Sequence, residues 1–228
     1  MCRRCIASLE PLEAGFFCVS CRTPFQNEFP LDSEGRCPLC RTGLRGFDAA
    51  YSFGAYQGVL RQLVHLYKYS GIKTLARPLA DLLVRALPPD QQFDAIVPVP
   101  LHWLRRWKRG FNQSALLAQL LSRRTGIPIR NALRRTASTR TQAGLSNHAR
   151  RENVARAFRA RPVEGKRLLL LDDVMTTGST AAACALALKR AGARRVTLLT
   201  LARADRRMST PREEAREFKG GEVISHAQ

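Results

Sequence analysis

Residues 168 to 180 decide the fold of this chain, and they read Leu-Leu-Leu-Leu-Asp-Asp-Val-Met-Thr-Thr-Gly-Ser-Thr. The leucines predict a buried β-strand, and the polar turn after them leads into an alanine-rich helical stretch. A helix N-terminus offers unpaired N–H groups and Gly178 lets the backbone approach a ligand, so the turn suits a phosphate. Asp172 and Asp173 would repel a phosphate, so we interpret them as acceptors for sugar hydroxyls. The stretch predicts a ribose-phosphate site; the structural alternative is that Asp172 only caps the helix.

Around this stretch the chain alternates between strand and helix patterns. Short apolar runs predict strands over residues 93–99, 167–171 and 195–201. Helical spacing predicts helices over residues 58–69, 73–87, 112–123 and 179–191, the third of them capped by Asn112. Unbroken apolar strands joined through helices indicate a parallel sheet that is covered on both faces, which is an α/β fold.

The composition divides the chain into three parts. Residues 1–45 form a cysteine-rich module, and Gly43 and Gly46 mark its boundary with an alternating domain at residues 46–204. Residues 205–228 are charged and poor in apolar side chains, so we expect a mobile tail. Within the domain, the polar and Arg-rich stretch 134–150 is longer than an ordinary connection, so we expect it to be functional or disordered.

The cysteines predict a metal site. Six of the seven form three Cys-x-x-Cys pairs, namely Cys2 with Cys5, Cys18 with Cys21, and Cys37 with Cys40. Because 15 residues separate Cys21 from Cys37, as in a zinc ribbon, we predict one structural Zn²⁺ on the last two pairs. Cys2 and Cys5 are further candidate ligands, with a partner pair either upstream of Met1 or lost. A redox dithiol is the alternative for these pairs. Cys184 is predicted to be a small buried residue.

The charge of the chain favours anionic partners. Lys and Arg number 38 against 18 Asp and Glu, which gives a formal net charge of +20. Such a balance is typical of proteins that bind nucleic acid, although a compositional preference for Arg is the alternative explanation. No apolar run approaches the roughly 20 residues that a membrane span needs, and no signal-peptide pattern follows Met1. We therefore expect a cytoplasmic protein that does not insert into a membrane.

Several motifs together carry a family resemblance. The 168–180 stretch resembles the phosphoribosyl pyrophosphate (PRPP) motif of type I phosphoribosyltransferases. With the cysteine-rich start, Val-Pro-Val-Pro at 97–100 and Lys-Arg-Gly-Phe-Asn-Gln at 108–113, the chain is similar to the ComF family of competence-associated phosphoribosyltransferase-like proteins. The resemblance covers about residues 1–202. It departs from the family pattern in having three cysteine pairs where four are expected, and Met175 where a small aliphatic residue is usual.

The resemblance implies a type I phosphoribosyltransferase fold with an N-terminal zinc ribbon, and it implies roles for particular residues. Asp172 and Asp173 would hold the ribose hydroxyls. The 5′-phosphate would be held by Thr176, Thr177, Gly178, Ser179 and Thr180. The pyrophosphate loop would be Pro98, Val99 and Pro100, with Lys108, Arg109 and Asn112 near it, unless the 105–109 cluster is only a solvated basic face. A mobile loop at 134–151 would close over PRPP, with Arg134, Gln142 and Arg150 as its contacts, and Mg²⁺ would bridge pyrophosphate and ribose oxygens.

The implied activity is displacement of pyrophosphate from PRPP by an acceptor that the sequence does not name. Acceptor recognition is expected from a hood within residues 47–87, and no histidine is assigned as a base. Two other functions stay open. The protein would be a non-enzymatic partner in natural transformation, whose zinc module and basic surface contact single-stranded DNA or competence proteins, or it would be a zinc-ribbon regulator of transcription.

Overall fold

The computed structural model describes residues 8–12, 15–25, 28, 31–41, 46–101, 111–136 and 157–204. The strands within these ranges are β1 (Phe16–Phe17), β2 (Pro24–Phe25), β3 (Ala49–Ala55), β4 (Ala95–Pro98), β5 (Leu133–Arg135), β6 (Phe158–Ala160), β7 (Arg167–Leu171), β8 (Val174–Met175) and β9 (Arg195–Arg203). The α-helices are α1 (Pro38–Arg41), α2 (Gly58–Tyr69), α3 (Ala76–Ala86), α4 (Gln113–Thr125) and α5 (Ser179–Arg190), and a 3₁₀ turn at Lys73–Leu75 precedes α3.

The central sheet is entirely parallel among these strands. Its order is β3-β9-β7-β4, and the short β8 pairs with the carboxyl end of β9. Parallel neighbours require a crossover between them, and α5 supplies the one that leads from β8 to β9. The structure thus confirms the predicted α/β class.

The leucines of β7 explain why this strand lies inside the sheet. All four, Leu168 to Leu171, are fully buried, and successive side chains point to opposite faces. Leu168 and Leu170 pack into one apolar cluster, which includes α5, and Leu169 and Leu171 pack into a second, formed with α2, α3 and α4. Burial of each side chain contributes about 2 kcal/mol, so both faces of this strand stabilise the fold.

The cysteine-rich segment packs against the same sheet. Cys18, Cys21 and Cys37 belong to the apolar cluster that holds Leu168, Leu170 and Leu198. The Ala50 N–H donates to the Ser20 carbonyl at 3.0 Å, and the Leu12 N–H donates to the Phe53 carbonyl at 2.7 Å. A Cβ at position 54 would lie 2.8 Å from the Glu10 carbonyl, so Gly54 permits this close approach. The cysteine segment and the sheet therefore share one core.

The predicted strands and helices agree with the structure, but the pattern missed β3 and the short elements β1, β2, β5, β6, β8 and α1. The Asn112 side chain accepts a hydrogen bond from the Ala115 N–H at 3.4 Å, and α4 begins at the next residue, as its cap predicted. Cys184 is fully buried in α5. The pattern did not predict β3, because Ala, Ser and Gly dominate its sequence and these residues have weak β propensity. Pairing with β9 holds this strand in place.

Among the described residues, no helix combines the length and the apolar character that crossing a membrane would require.

Candidate functional site

The carboxyl ends of β4 and β7 meet at one edge of the sheet. β7 ends at Leu171, and Asp172 and Asp173 follow it directly. The Val99 N–H, just after β4, donates to the Leu171 carbonyl at 2.9 Å, and the Asn112 side-chain amide donates to the Val99 carbonyl at 3.3 Å. The structure therefore brings the Pro98–Val99 turn and Asn112 together with the start of the carboxylate pair.

The two carboxylates are held through one oxygen each. Asp172 Oδ1 accepts hydrogen bonds from the Ser114 hydroxyl at 3.0 Å and from the Asp173 N–H at 2.9 Å. Asp173 Oδ1 accepts from the Val174 N–H at 2.7 Å and forms an ion pair with Lys68 Nζ at 2.9 Å. Within the part of the chain that the structure describes, Oδ2 of both side chains takes no such bond. A carboxylate oxygen that is fixed in position and still able to accept suits a hydroxyl donor.

Burial and charge set the acidity of Asp172. Burial, and to a smaller extent the neighbouring carboxylate of Asp173, raises its pKa from 3.8 to about 7. Lys68, the Asp173 N–H and the Ser114 hydroxyl oppose this rise. The negative charge of Asp173 disfavours the ionised form of Asp172, so a cation beside Asp172 would favour its ionisation.

The turn at residues 176–180 is called the phosphate turn here, after the ligand that its sequence predicts. Gly178 lies at φ 76°, in the left-handed region, and α5 begins directly after it. The Thr177 hydroxyl oxygen lies 3.4 Å from the Ser179 N–H and 2.9 Å from the Ser179 hydroxyl oxygen. A pocket of about 60 Å³ opens here, and its lining includes Asp172, Met175, Thr176, Thr177, Gly178, Ser179 and Thr180. One water needs roughly 10–15 Å³ by this measure, so the pocket has room for a group of several polar atoms.

The sequence analysis did not identify three residues at this site. Lys68 and Tyr67 come from the last turn of α2, and Ser114 comes from the first turn of α4. The Tyr67 hydroxyl donates to the Gln113 carbonyl at 2.9 Å, its ring packs edge-on against Phe111, and burial raises its pKa. Nothing in the local sequence indicates these contacts, because each joins segments that are distant along the chain.

The remaining predicted site residues are Arg134, which the structure describes, and several residues outside the described ranges. Arg134 is in β5, opposite Arg159 of β6, and its side chain is exposed. No hydrogen bond or ion pair among the described residues joins Arg134 to the carboxylates or to the phosphate turn. Lys108, Arg109, Gln142 and Arg150 lie outside the described residues, as do Cys2 and Cys5.

The second candidate site is a cluster of four sulfur atoms. The Sγ atoms of Cys18, Cys21, Cys37 and Cys40 all lie within 4.8 Å of one another. Cys21 Sγ and Cys37 Sγ are 3.7 Å apart, and a tetrahedron with Zn–S bonds of about 2.3 Å has edges of about 3.8 Å. The first three cysteines are buried. This donor set and spacing fit a structural zinc ion, as predicted for these four residues.

The crowding of the sulfur atoms alters the acidity of the thiols. The hydrogen bond with Cys21 raises the pKa of Cys18, but those with Cys37 and Cys40 lower it, with a net fall to about 6. The pKa values of Cys37 and Cys40 are raised, chiefly through their hydrogen bonds with Cys18. A metal ion bound by these sulfur atoms would displace the protons that the thiols carry.

Comparison with known proteins gives consistent results. The phosphoribosyl transferase domain family matches residues 71–227. Competence protein F of Haemophilus influenzae is 35% identical over 179 residues, which cover 74% of this chain and 78% of that protein. DNA utilization protein YhgH of Escherichia coli is 42% identical over 156 residues, covering 65% of this chain and 69% of that protein. Competence protein ComFC of Bacillus subtilis is 28% identical over 191 residues, which cover 79% of this chain and 74% of that protein.

Among solved structures, glutamine PRPP amidotransferase from Bacillus subtilis matches with a TM-score of 0.40 and 23% identity. The match covers 65% of this chain and 33% of that larger protein. The family match spans more than half of the present chain, and the relatives from Haemophilus influenzae and Escherichia coli exceed 30% identity over more than two thirds of their own length. The chain therefore belongs to the phosphoribosyl transferase domain family and, within it, to the ComF family of competence-associated phosphoribosyltransferase-like proteins.

Proposed function

We propose that this protein binds PRPP at the edge of the sheet and transfers its phosphoribosyl group to an acceptor, in the cytoplasm, during the handling of imported DNA. The observation that carries the proposal is the pair Asp172 and Asp173 beside the phosphate turn. Each carboxylate is fixed through Oδ1 by neighbouring groups. No described residue donates a hydrogen bond to either Oδ2 atom, so both can accept one from a ligand. A single ribose 5-phosphate would contact the carboxylates through its sugar hydroxyls and the phosphate turn through its phosphate.

The phosphate end of the ligand would sit at the turn from Thr176 to Thr180. Here α5 begins, so its first N–H groups and the positive end of its dipole face the 5′-phosphate. The hydroxyls of Thr177 and Ser179 bond to each other in the free protein and would turn toward the phosphate oxygens. These groups give the site affinity, and the carboxylates give it selectivity for a sugar with two adjacent hydroxyls.

The pyrophosphate end would lie by the Pro98–Val99 turn. Asn112 fixes this turn through the Val99 carbonyl, and Val99 is hydrogen-bonded to Leu171, the last residue before the carboxylates. Mg²⁺ bound with PRPP would neutralise pyrophosphate and ribose oxygens. The raised pKa of Asp172 supports this arrangement, because a cation beside the pair would favour its ionised form.

The chemical step follows from these positions. The bond between the anomeric carbon and the pyrophosphate oxygen breaks, pyrophosphate leaves with the electron pair, and the acceptor forms a new bond at that carbon. Positive charge develops on the ribose, and negative charge develops on the leaving group, where a cation stabilises it. No protein nucleophile is required. The Asp172 and Asp173 carboxylates would orient the ribose through its hydroxyls.

Calorimetry with PRPP and Mg²⁺ on the full-length protein tests the proposal. We expect binding of micromolar order, weakened at least about tenfold by Asp173→Asn, because hydrogen bonds to charged groups contribute about 1.5–3 kcal/mol. Asp90→Asn is the matched control, since Asp90 is an exposed residue of a surface turn. Absence of PRPP binding by the wild type, or equal loss in both variants, would refute the site. An acceptor screen for pyrophosphate release then tests transfer.

We also propose that the protein contacts single-stranded DNA. The observations that favour this are its formal charge of +20 and the names of its relatives, which refer to competence and DNA utilization. Fluorescence anisotropy with a labelled oligonucleotide tests it. Affinity should fall steeply between about 50 and 200 mM salt, because binding to Lys and Arg releases counterions. Affinity weaker than about millimolar at low salt, or an affinity that salt does not change, would leave only a protein-mediated role.

A further inference from the structure

The last residue of β9, Arg203, is a buried arginine between the two candidate sites. Its side chain is 5% exposed. Nη1 donates to the Cys21 carbonyl at 2.9 Å and lies 3.8 Å from the Met175 sulfur, and Nη2 donates to the Thr23 hydroxyl oxygen. A guanidinium is always charged, and burial of a charge is unfavourable unless anionic or strongly polar groups surround it.

The hydrogen bonds of Arg203 have a fixed direction. Because a guanidinium can only donate, the Thr23 oxygen accepts from Arg203, and the Thr23 hydroxyl proton is left to bond elsewhere. Cys21 Sγ lies 2.6 Å from that oxygen, and Thr23 is fully buried. The chain of bonds therefore runs from Arg203 through Thr23 to one sulfur of the cysteine cluster.

The backbone of Arg203 belongs to the other site. Arg203 is opposite Met175 in the pairing of β9 with β8, and the next residue, Ala204, donates its N–H to the Met175 carbonyl at 2.9 Å. Met175 immediately precedes Thr176, the first residue of the phosphate turn. A displacement of Arg203 would therefore move β8 and the entry to that turn.

We propose that Arg203 is a positioning residue that couples the cysteine cluster to the phosphate turn. Four thiolates and one Zn²⁺ would carry a net charge of −2, and Arg203 is a buried cation that would balance part of it. Metal binding then fixes the Arg203 side chain, and its backbone fixes β8. By linkage, PRPP bound at the turn tightens metal binding by the same factor as the metal tightens PRPP binding.

The coupling rests on the proposed function. The chain of hydrogen bonds from Arg203 through Thr23 to Cys21 Sγ, called the relay below, does not. Chelator competition on the full-length protein measures the relay. Thr23→Val keeps the shape of the side chain and removes the hydroxyl, and Arg203→Met removes the charge. Each should weaken zinc affinity about 10- to 100-fold, as removal of groups that hold metal ligands typically does. Thr74→Val and Arg195→Met are the matched controls, because both residues are exposed and Arg195 begins the same strand. Their zinc affinity should equal that of the wild type.

The coupling is measured as zinc affinity with and without PRPP and Mg²⁺. In the wild type PRPP should tighten zinc binding at least about fivefold. In Arg203→Met the ratio of zinc affinities with and without PRPP should fall to about one. If Arg203→Met does not fold, Thr23→Val decides, with a reduced ratio expected. Wild-type zinc affinity in Thr23→Val overturns the relay, and a ratio of one in the wild type overturns the coupling. If the wild type binds no PRPP, the proposed function and the coupling both fail, and the relay is decided by chelator competition alone.

Discussion

Lys68 Nζ lies 2.9 Å from Asp173 Oδ1, and this ion pair joins the end of α2 to the residue pair that follows β7. Both side chains are largely buried, with 15% and 10% of their surface exposed. The lysine compensates one of two adjacent carboxylates, and it lies in the last turn of a helix, where a positive charge is favourable. The pair therefore allows Asp172 and Asp173 to occupy one edge of the sheet before any ligand or metal is bound.

Removal of Lys68 should destabilise the protein. Lys68→Met leaves a largely buried carboxylate without its cation, and we expect the free energy of unfolding in urea to fall by about 3 kcal/mol. Lys166→Met, at an exposed position, is the control and should change it by less than about 0.5 kcal/mol. The double variant Lys68→Met with Asp173→Asn should recover part of the loss. Additive effects of the two single changes would show that the ion pair does not contribute to stability.

Asp172 should make the protein less stable as pH rises from about 5 to 8. Burial raises its pKa from 3.8 to about 7, so the folded protein binds a proton in this range that the unfolded chain has released. Stability from this group is fully present at low pH and is lost as pH approaches the folded-state value. Urea unfolding at pH 5 and pH 8 should show a fall of a few kcal/mol at most in the wild type, and a smaller fall in Asp172→Asn. Identical pH dependence of the two proteins would contradict this assignment.

Zinc analysis tests the cysteine cluster. Purified protein should carry about one Zn²⁺, and Cys37→Ser should lose it, because four sulfur ligands are needed to close a tetrahedral site. Cys184→Ser is the control, since Cys184 is buried in α5 away from the four-sulfur cluster. Removal of Cys2 and Cys5 together should leave one equivalent in place. Less than a few tenths of an equivalent in the wild type would rule out the metal site.

Two glycines with the same backbone shape separate stability from binding. Gly178 lies at φ 76° in the phosphate turn, and Gly126 lies at φ 75° at the end of α4. Substitution of either by Ala should cost about 1 kcal/mol of stability, because a side chain disfavours this conformation. PRPP affinity should fall only in Gly178→Ala, since only this backbone would contact the phosphate. Similar loss of affinity in both variants would indicate a general effect on folding.

The sequence predicts the local parts of the site more completely than the contacts between them. The strand, the turn and α5 follow one another between residues 167 and 190, so the order of residue types is enough to predict them. The Ser114–Asp172 and Lys68–Asp173 bonds join residues far apart along the chain, and they depend on how helices pack on the sheet. The cysteine spacing predicted which four sulfur atoms come together. It could not indicate Arg203, since the last residue of a strand carries no signal of what it contacts.

The bond between Arg203 and the Cys21 carbonyl spans 182 residues of chain, and this separation bears on how the protein is made. A ribosome adds about 5–20 residues each second, so roughly 10 to 40 s pass between synthesis of the cysteines and synthesis of β9. During that interval the four sulfurs are present without the strand that covers them. The nascent chain would therefore leave its thiols open to oxidants and to competing metals until β9 is made, and zinc bound at the cluster would protect them through that period.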